Sequence, residues 1–186
     1  MPPITLRSKT RTPMRKIILR AVEDQKTHFE HCAPITGGQG LKEANIAFSV
    51  GHAFRSAGYF VYPEFRFSRG SIDAVFIRKD EAVIFECKQL YPRSISSIAE
   101  QTERMKLFAN QTQLSKHGFK TPVRKPKLLW VCDTWEPDLR NWWFGRDEKG
   151  RSNWPFNEWT LGREEFPSFG DAWNSYSWLW AYKQLG

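Results

Sequence analysis

The sequence predicts an α/β fold in which a mixed central sheet is flanked by helices. Two segments with helical spacing of apolar residues come first, three strand-like segments follow, and a long helix and a buried strand come after them. This α-α-β-β-β-α-β order is typical of an α/β domain. The 186 residues are enough for one domain with a sizeable core, or for a domain with a substantial extension.

The first two predicted helices lie before Gly58, which ends the second of them as a C-cap glycine would. Thr12 and Pro13 form a plausible N-cap and first-turn pair for a helix that runs to about residue 29. The second helix, residues 41–57, has one apolar stripe at intervals of three and four residues. Glu43 lies in its first turn, where the helix dipole favours a carboxylate. Both this local role and a role in a functional site are open for Glu43.

A β-hairpin is the centre of the prediction. The runs 72–77 and 82–85 are rich in β-branched and aromatic residues, and they flank a short charged turn. Such runs, separated by so few residues, predict two antiparallel strands. Folding the chain about Asp80 brings Asp73 opposite Glu86 and its neighbour in the sequence.

Three further elements complete the predicted sheet. Residues 59–67 are aromatic throughout and contain Pro63, which indicates an edge strand or a bulge. Residues 94–117 predict one long amphipathic helix, after which a linker rich in proline and basic residues leads to a buried strand at 128–132.

This apolar hairpin contains three charged side chains, those of Asp73, Glu86 and Lys88. Burying them is costly unless they pair or bind an ion. Two carboxylates are suitable ligands for Mg²⁺ or Mn²⁺, and a lysine can orient an attacking water and stabilise charge on a phosphate. Glu86 and Lys88 are two residues apart and face the same side of a strand, while Cys87 faces away. The alternative is a hairpin that is merely held by salt bridges.

The charge distribution favours a polyanionic partner. The chain has 28 Lys and Arg against 20 Asp and Glu. The segment 130–186 holds six of the former and nine of the latter, which leaves 22 against 11 for the segment 1–129. A positive field of this kind favours nucleic acid over an acidic membrane. A basic protein that is merely soluble is the alternative.

Cysteine and histidine residues indicate no zinc site. The three cysteines are widely spaced, which favours a reducing compartment. His28, His31 and Cys32 match no common zinc spacing, and the glycine-rich segment 34–40 lacks the Lys-Ser/Thr of a phosphate-binding loop. No run is long and apolar enough for a membrane span, so we expect an intracellular, cytoplasmic protein without a membrane partner.

All nine tryptophans lie between Trp130 and Trp180. Aromatic side chains can stack on unpaired bases, but this segment is net acidic, which favours a buried aromatic core or an interface. The predicted organisation is a basic arm and helix at 1–40, a core at 41–133, and an aromatic-rich extension at 134–186 packed on that core. The extension could also hold a second copy of the chain or another protein partner.

The hairpin resembles the PD-(D/E)XK nuclease superfamily. Asp73 lies thirteen residues before the Glu86-Cys87-Lys88 triplet, and a helix with an acidic first turn precedes them. The resemblance covers about residues 41–133 and implies a restriction-endonuclease-like core with DNA bound over the hairpin face. It implies that Asp73, Glu86 and the backbone carbonyl of Cys87 bind Mg²⁺, that Lys88 serves the attacking water, and that Glu43 completes the metal site.

The sequence departs from the family pattern at two points. The motif proline is absent, because Ser71-Ile72 precedes Asp73. Some exonuclease-like members have a Gln followed four residues later by a Tyr, whereas here Gln101 is followed by Met105. Glu64, on the preceding strand, is either a ligand of a second metal or an exposed side chain.

We therefore expect a metal-dependent nuclease that hydrolyses DNA with a Mg²⁺-bound water, with Mn²⁺ as a possible substitute. If the source is bacterial or a phage, a location at the nucleoid is expected. The alternative is a non-catalytic DNA-binding or partner-docking subunit that keeps the nuclease fold. An RNA-directed nuclease is a third hypothesis.

Overall fold

The computed structural model describes residues 13–31, 43–68, 70–116, 123–146, 154–166 and 176–186. The predicted arm at 1–12, Cys32 and the glycine-rich segment 34–40 lie outside the described residues. In chain order the elements are α1 (Met14–His31), α2 (Glu43–Ser56), β1 (Phe60–Phe67), β2 (Gly70–Arg78), β3 (Glu81–Gln89), a 3-10 turn (Pro92–Ser94), α3 (Ile95–Ala109), α4 (Gln111–Lys116), β4 (Lys125–Thr134), α5 (Pro137–Trp143), β5 (Thr160–Glu165) and β6 (Ser177–Gln184).

A six-stranded mixed sheet forms the centre of the fold, in the order β1-β2-β3-β4-β6-β5. β3 and β4 are parallel and every other neighbouring pair is antiparallel. The α/β class, the mixed sheet and the edge position of β1 are thus confirmed. No helix among the described residues is long and apolar enough to cross a membrane.

The helices cover both faces of the sheet. α1 and α2 pack on one face, where Phe54, Phe76 and Phe85 are fully buried. α3 and α5 pack on the other, around Trp130 and Trp142. The Trp130 indole donates a hydrogen bond of 3.0 Å to the Thr102 hydroxyl, which fixes α3 against β4.

The predicted single helix at 94–117 is wrong in one respect. The chain leaves helical geometry at Asn110, whose ψ is 132°, and α4 then begins at residue 111. An extended residue cannot continue the intrahelical hydrogen bonds, so the segment is two helices instead of one.

The Trp-rich segment supplies two strands of the same sheet, which its sequence pattern did not predict. β6 pairs with β4 along its whole length, and β5 pairs with β6. The expectation of a buried aromatic core is confirmed for the described tryptophans at six positions. These are Trp130, Trp142, Trp143, Trp159, Trp178 and Trp180.

Candidate active site

The hairpin register places three carboxylates in one row across β1, β2 and β3. Ala74 pairs with Pro63 on one side and with Phe85 on the other, so the preceding residue, Asp73, comes next to Glu64 and to Glu86, with which it shares a hydrogen bond. The turn consists of Lys79 and Asp80, as the charged residues there predicted. The sequence-based expectation that Asp73 comes opposite Glu86 is confirmed.

The backbone is irregular in this row. Ile72 and Val75 both pack on the α3 side of the sheet, whereas Ala74 packs on the α2 side, so the alternation of β2 breaks at Asp73. On the neighbouring strand Glu64 has a φ of 48°, a left-handed conformation that costs free energy for a residue other than glycine. Such irregularities concentrate at functional sites in strands.

Asp73 is held by the backbone of the neighbouring strand. Its Oδ2 accepts a hydrogen bond of 2.8 Å from the backbone N–H of Cys87. A charged acceptor on a backbone donor fixes the carboxylate in one orientation. The side chain of Asp73 is therefore already positioned beside Glu86 before any ligand arrives.

The surroundings of Glu86 disfavour the ionised form of its carboxyl group. The residue is only 4% exposed. Burial raises the pKa of Glu86 to about 8, and the negative charge of Asp73 and a hydrogen bond with it contribute to this rise in pKa. Two adjacent carboxylates cannot both ionise cheaply, so Glu86 is largely protonated at neutral pH in the metal-free protein.

Arg104 on α3 is the residue that the sequence reasoning missed. Its Nη2 lies 3.4 Å from Oε1 of Glu86, and this positive charge partly opposes the rise in the pKa of Glu86. The Arg104 side chain also packs against Gly70, where an added Cβ would lie 3.4 Å from the Arg104 Cδ. The only sequence signal was its position one helical turn after Gln101, which places both side chains on the same face of α3.

Lys88 follows Glu86 on β3 and is half-buried. It forms no ion pair with Asp73 or Glu86 within the part of the chain that the structure describes. Its charge acts on the buried Cys132 thiol of the neighbouring strand. The ammonium is thus not consumed by a structural salt bridge, which was the alternative interpretation of the hairpin.

Glu43 reaches the same end of β3 from the helical side. Its Oε1 accepts a hydrogen bond of 3.1 Å from the backbone N–H of Gln89. Its backbone oxygen accepts one from the Cys87 thiol, with a sulfur–oxygen distance of 3.4 Å. The carboxylate therefore binds the strand that carries Glu86 and Lys88, in addition to lying in the first turn of α2.

The other site residues predicted from the sequence lie at the edge of the candidate active site or have a different role. Glu64 is exposed, and Gln101 is half-buried on α3. Burial raises the pKa of the Cys87 thiol well above its usual range, so the thiol is not a nucleophile. The metal role of the Cys87 carbonyl stays a prediction. His52 is a surface residue, as expected, and lies 3.2 Å from the carboxylate of Asp24.

The donor set fits a hard divalent cation. Asp73 and Glu86 present carboxylate oxygens side by side, and their mutual repulsion is the cost that a cation would remove. No three His, Cys, Asp or Glu side chains of the described residues are placed to hold a metal together. Mg²⁺ usually keeps several waters and takes one or two carboxylates plus substrate phosphate, so a pair of carboxylates is sufficient.

Comparison with known families agrees with this geometry. A model of the PD-(D/E)XK nuclease superfamily matches residues 41–136, which span α2 through β4 and include every residue of the carboxylate row.

The chain belongs to the PD-(D/E)XK nuclease superfamily.

The resemblance inferred from Asp73 and the Glu86-Cys87-Lys88 triplet is therefore confirmed at the level of the superfamily. The matched segment ends just after β4, so β5 and β6 lie outside it. A search of curated proteins gives no match to the chain.

Proposed function

We propose that the chain is a metal-dependent deoxyribonuclease that hydrolyses phosphodiester bonds at the Asp73–Glu86 pair. The observation that carries the proposal is the contact between these two carboxylates, one of them almost fully buried, beside a lysine that no carboxylate of the pair neutralises. Nuclease chemistry follows from the family, and the metal and the DNA substrate are the parts that we propose.

Asp73 and Glu86 would hold Mg²⁺, or Mn²⁺ in its place. The backbone N–H of Cys87 holds the Asp73 carboxylate in position by a hydrogen bond. The Arg104 guanidinium on α3 forms an ion pair with Glu86. When bound, such an ion polarises the phosphodiester and makes a coordinated water more acidic. Glu43, whose carboxylate is anchored at the Gln89 N–H and is not placed with the pair as a third ligand, would contribute its negative charge from α2.

Lys88 and Arg104 supply the positive charge. Lys88 projects from the same strand as Glu86 and would orient the attacking water and stabilise charge that develops on the phosphate. Arg104 would limit the repulsion between the carboxylates in the free enzyme and would contact the phosphate of a bound strand. Two cations of this kind suit a substrate whose negative charge grows during the reaction.

The charge of the whole chain supports DNA as the substrate. The formal net charge is +8 at pH 7, and the segment 1–129, which includes the site, holds the whole excess of basic residues. A basic surface attracts the phosphate backbone irrespective of sequence. DNA is favoured over RNA by the resemblance of the core to restriction endonucleases.

A cleavage assay tests the proposal. Supercoiled plasmid, single-stranded DNA and RNA are incubated with the protein and Mg²⁺, Mn²⁺ or EDTA. We expect DNA cleavage with either metal and none with EDTA. Lys88→Ala and Glu86→Gln should each lower the rate at least about 100-fold, as expected for loss of one transition-state contact or of a metal ligand.

Lys116→Ala, at an exposed lysine on α4, is the matched control and should cleave like the wild type. Metal-dependent cleavage that survives both Lys88→Ala and Glu86→Gln would disprove the assignment of the site. DNA binding in EDTA without cleavage under any condition would support the non-catalytic alternative instead.

A further inference from the structure

A groove of about 660 Å³ runs between α2 and β1 and opens beside the candidate active site. Asp73 and Glu43 line it at the end nearest the carboxylate row, and Arg55 lines it in the last turn of α2. Glu43 and Arg55 stand at opposite ends of α2, about 18 Å apart along its axis. The volume is in the range of pockets that bind small organic groups.

The walls of the groove are largely small and apolar. α2 contributes one side and β1 the other, and the carboxylates of Glu43, Glu64 and Asp73 lie at one end. The apolar lining residues are Ala44, Ala47, Gly51, Val61, Pro63 and Ala74. These residues cannot pair with the charged backbone of a nucleic acid, whereas a flat and largely uncharged ring would fit between them.

Phe48 stands in this lining with 77% of its surface exposed. It is the most exposed large apolar side chain among the described residues. Keeping such a ring in water contributes nothing to folding, and exposed apolar surface next to a groove is typical of a binding site. A second exposed ring, Phe60, lies 5.8 Å from the Arg55 guanidinium at the other end.

The charges decide which part of a nucleic acid enters. Glu64 lines the groove and would repel a phosphate that lies along it, whereas the cation proposed at Asp73 would draw the scissile phosphate to that end of the groove. A base carries no phosphate charge and stacks on an aromatic ring irrespective of its identity. Arg55, at the far end, carries the opposite charge and would attract a phosphate further along the same strand.

We propose that this groove binds an unpaired nucleobase of the strand being cut, with Phe48 as the stacking surface. A paired base cannot enter, because its ring is held in the duplex stack, so the inference makes single-stranded or frayed DNA the preferred substrate. This specificity rests on the proposed nuclease function, since it concerns the substrate of the same site.

The test compares two substrates of the same sequence, a blunt duplex and a duplex with a single-stranded tail. We expect the wild type to cleave the tailed substrate with a kcat/KM at least about tenfold higher, and Phe48→Ala to lower that value about tenfold while leaving the blunt duplex unaffected. Phe48→Trp should keep the preference. Leu107→Ala, which removes an exposed apolar side chain from α3 on the opposite face, should change neither value.

The possible results distinguish a failure of the groove proposal from a failure of the nuclease proposal. Equal cleavage of both substrates, or an equal loss on both in Phe48→Ala, overturns the groove proposal but not the nuclease, provided that Lys88→Ala is inactive. If no substrate is cut with any metal, the nuclease proposal fails, and fluorescence anisotropy with a labelled single strand in EDTA then tests the groove. Binding that Phe48→Ala weakens about tenfold supports the groove, and binding that it leaves unchanged overturns it.

Discussion

Arg104 forms an ion pair with Glu86 and so offsets the negative charge of one of two neighbouring carboxylates. The strength of this ion pair should depend on pH. Burial and the charge of Asp73 raise the pKa of Glu86 to about 8, so the carboxyl is neutral below that value and ionised above it. The guanidinium can attract only the ionised form. The coupling between the two residues is therefore expected to be small at pH 6 and larger at pH 9.

A double-mutant cycle in EDTA measures this coupling. Arg104→Ala, Glu86→Gln and the double variant are unfolded with urea at both pH values. At pH 9 we expect a coupling of about 1 kcal/mol, below the range of about 1.5–3 kcal/mol for a hydrogen bond to a charged group, because Arg104 is partly exposed and the contact is 3.4 Å long. A coupling that is the same at pH 6 and pH 9 would contradict the assigned ionisation of Glu86.

Asp133 at the end of β4, opposite Gln89 of β3, provides a second test of buried charge. Burial raises the pKa of Asp133 to about 7, although a hydrogen bond of 3.0 Å from the Tyr176 hydroxyl opposes the rise. The unfolded chain loses this proton near pH 4 and the folded protein near pH 7. The folded state consequently loses stability, relative to the unfolded chain, as the pH rises between these two values.

Asp133→Asn removes this titration and keeps an oxygen that can accept from Tyr176. We expect the variant to melt at a higher temperature than the wild type at pH 8.5, with a difference that is constant down to about pH 7 and then shrinks towards pH 4. Thermal unfolding followed by circular dichroism over this range measures it. Asp138→Asn, in the first turn of α5, is an exposed control and should show no comparable pH dependence.

The β2–β3 hairpin shows why part of this site was predictable from the sequence. A short turn between two apolar strands fixes the register, and the register alone places Asp73 beside Glu86. The alternation of side chains in β3 likewise places Lys88 with Glu86. These inferences needed only neighbours in the chain and the period of a strand.

Arg104 and β6 were not predictable because both depend on contacts between distant segments. Arg104 reaches Glu86 through the packing of α3, and nothing in its local sequence distinguishes it from other arginines on a half-buried helical face. β6 pairs with β4 although α5 and β5 come between them in the chain, and prolines and glycines in that stretch conceal the strand pattern. Local propensity carries no information about such pairings.

The β5–β6 pair depends on the absence of a side chain at Gly162. This residue pairs with Trp180, and a Cβ added to it would collide with the Trp180 ring. Gly162→Ala should force the indole or the strand to move and destabilise the protein by about 1–3 kcal/mol, as overpacking of a core does. The free energy of unfolding in urea measures the effect.

Gly51→Ala is the matched control for this substitution. Gly51 lies within α2, and an added Cβ would meet its nearest neighbour, Val61, at an ordinary 3.6 Å. Alanine at a compatible helical position is expected to stabilise the protein by about 0.4–1 kcal/mol. If Gly162→Ala also proved neutral or stabilising, the close packing of β5 on Trp180 would be wrong.

At the scale of the whole molecule, the strands outside the family-matched segment are part of the same hydrophobic core. β4 lies between β3 and β6, so removing β6 would leave an unpaired edge on a strand whose side chains are nearly all buried. It would also uncover both faces of the sheet, because Trp178 and Trp180 pack with α1 and α2 while Leu179 and Ala181 pack with α3 and α5. A long apolar edge of this kind pairs with other chains.

We therefore expect a chain that ends at residue 136, where the family match ends, to aggregate or remain loosely packed although it contains every candidate catalytic residue. Size-exclusion chromatography with light scattering and near-ultraviolet circular dichroism would detect both outcomes. Co-expression with a fragment of residues 137–186 is the control, since pairing of β6 with β4 should restore a soluble complex and metal-dependent cleavage. A monomer of residues 1–136 that melts cooperatively at the temperature of the full chain would show instead that the nuclease core is stable by itself and that β5 and β6 serve another purpose.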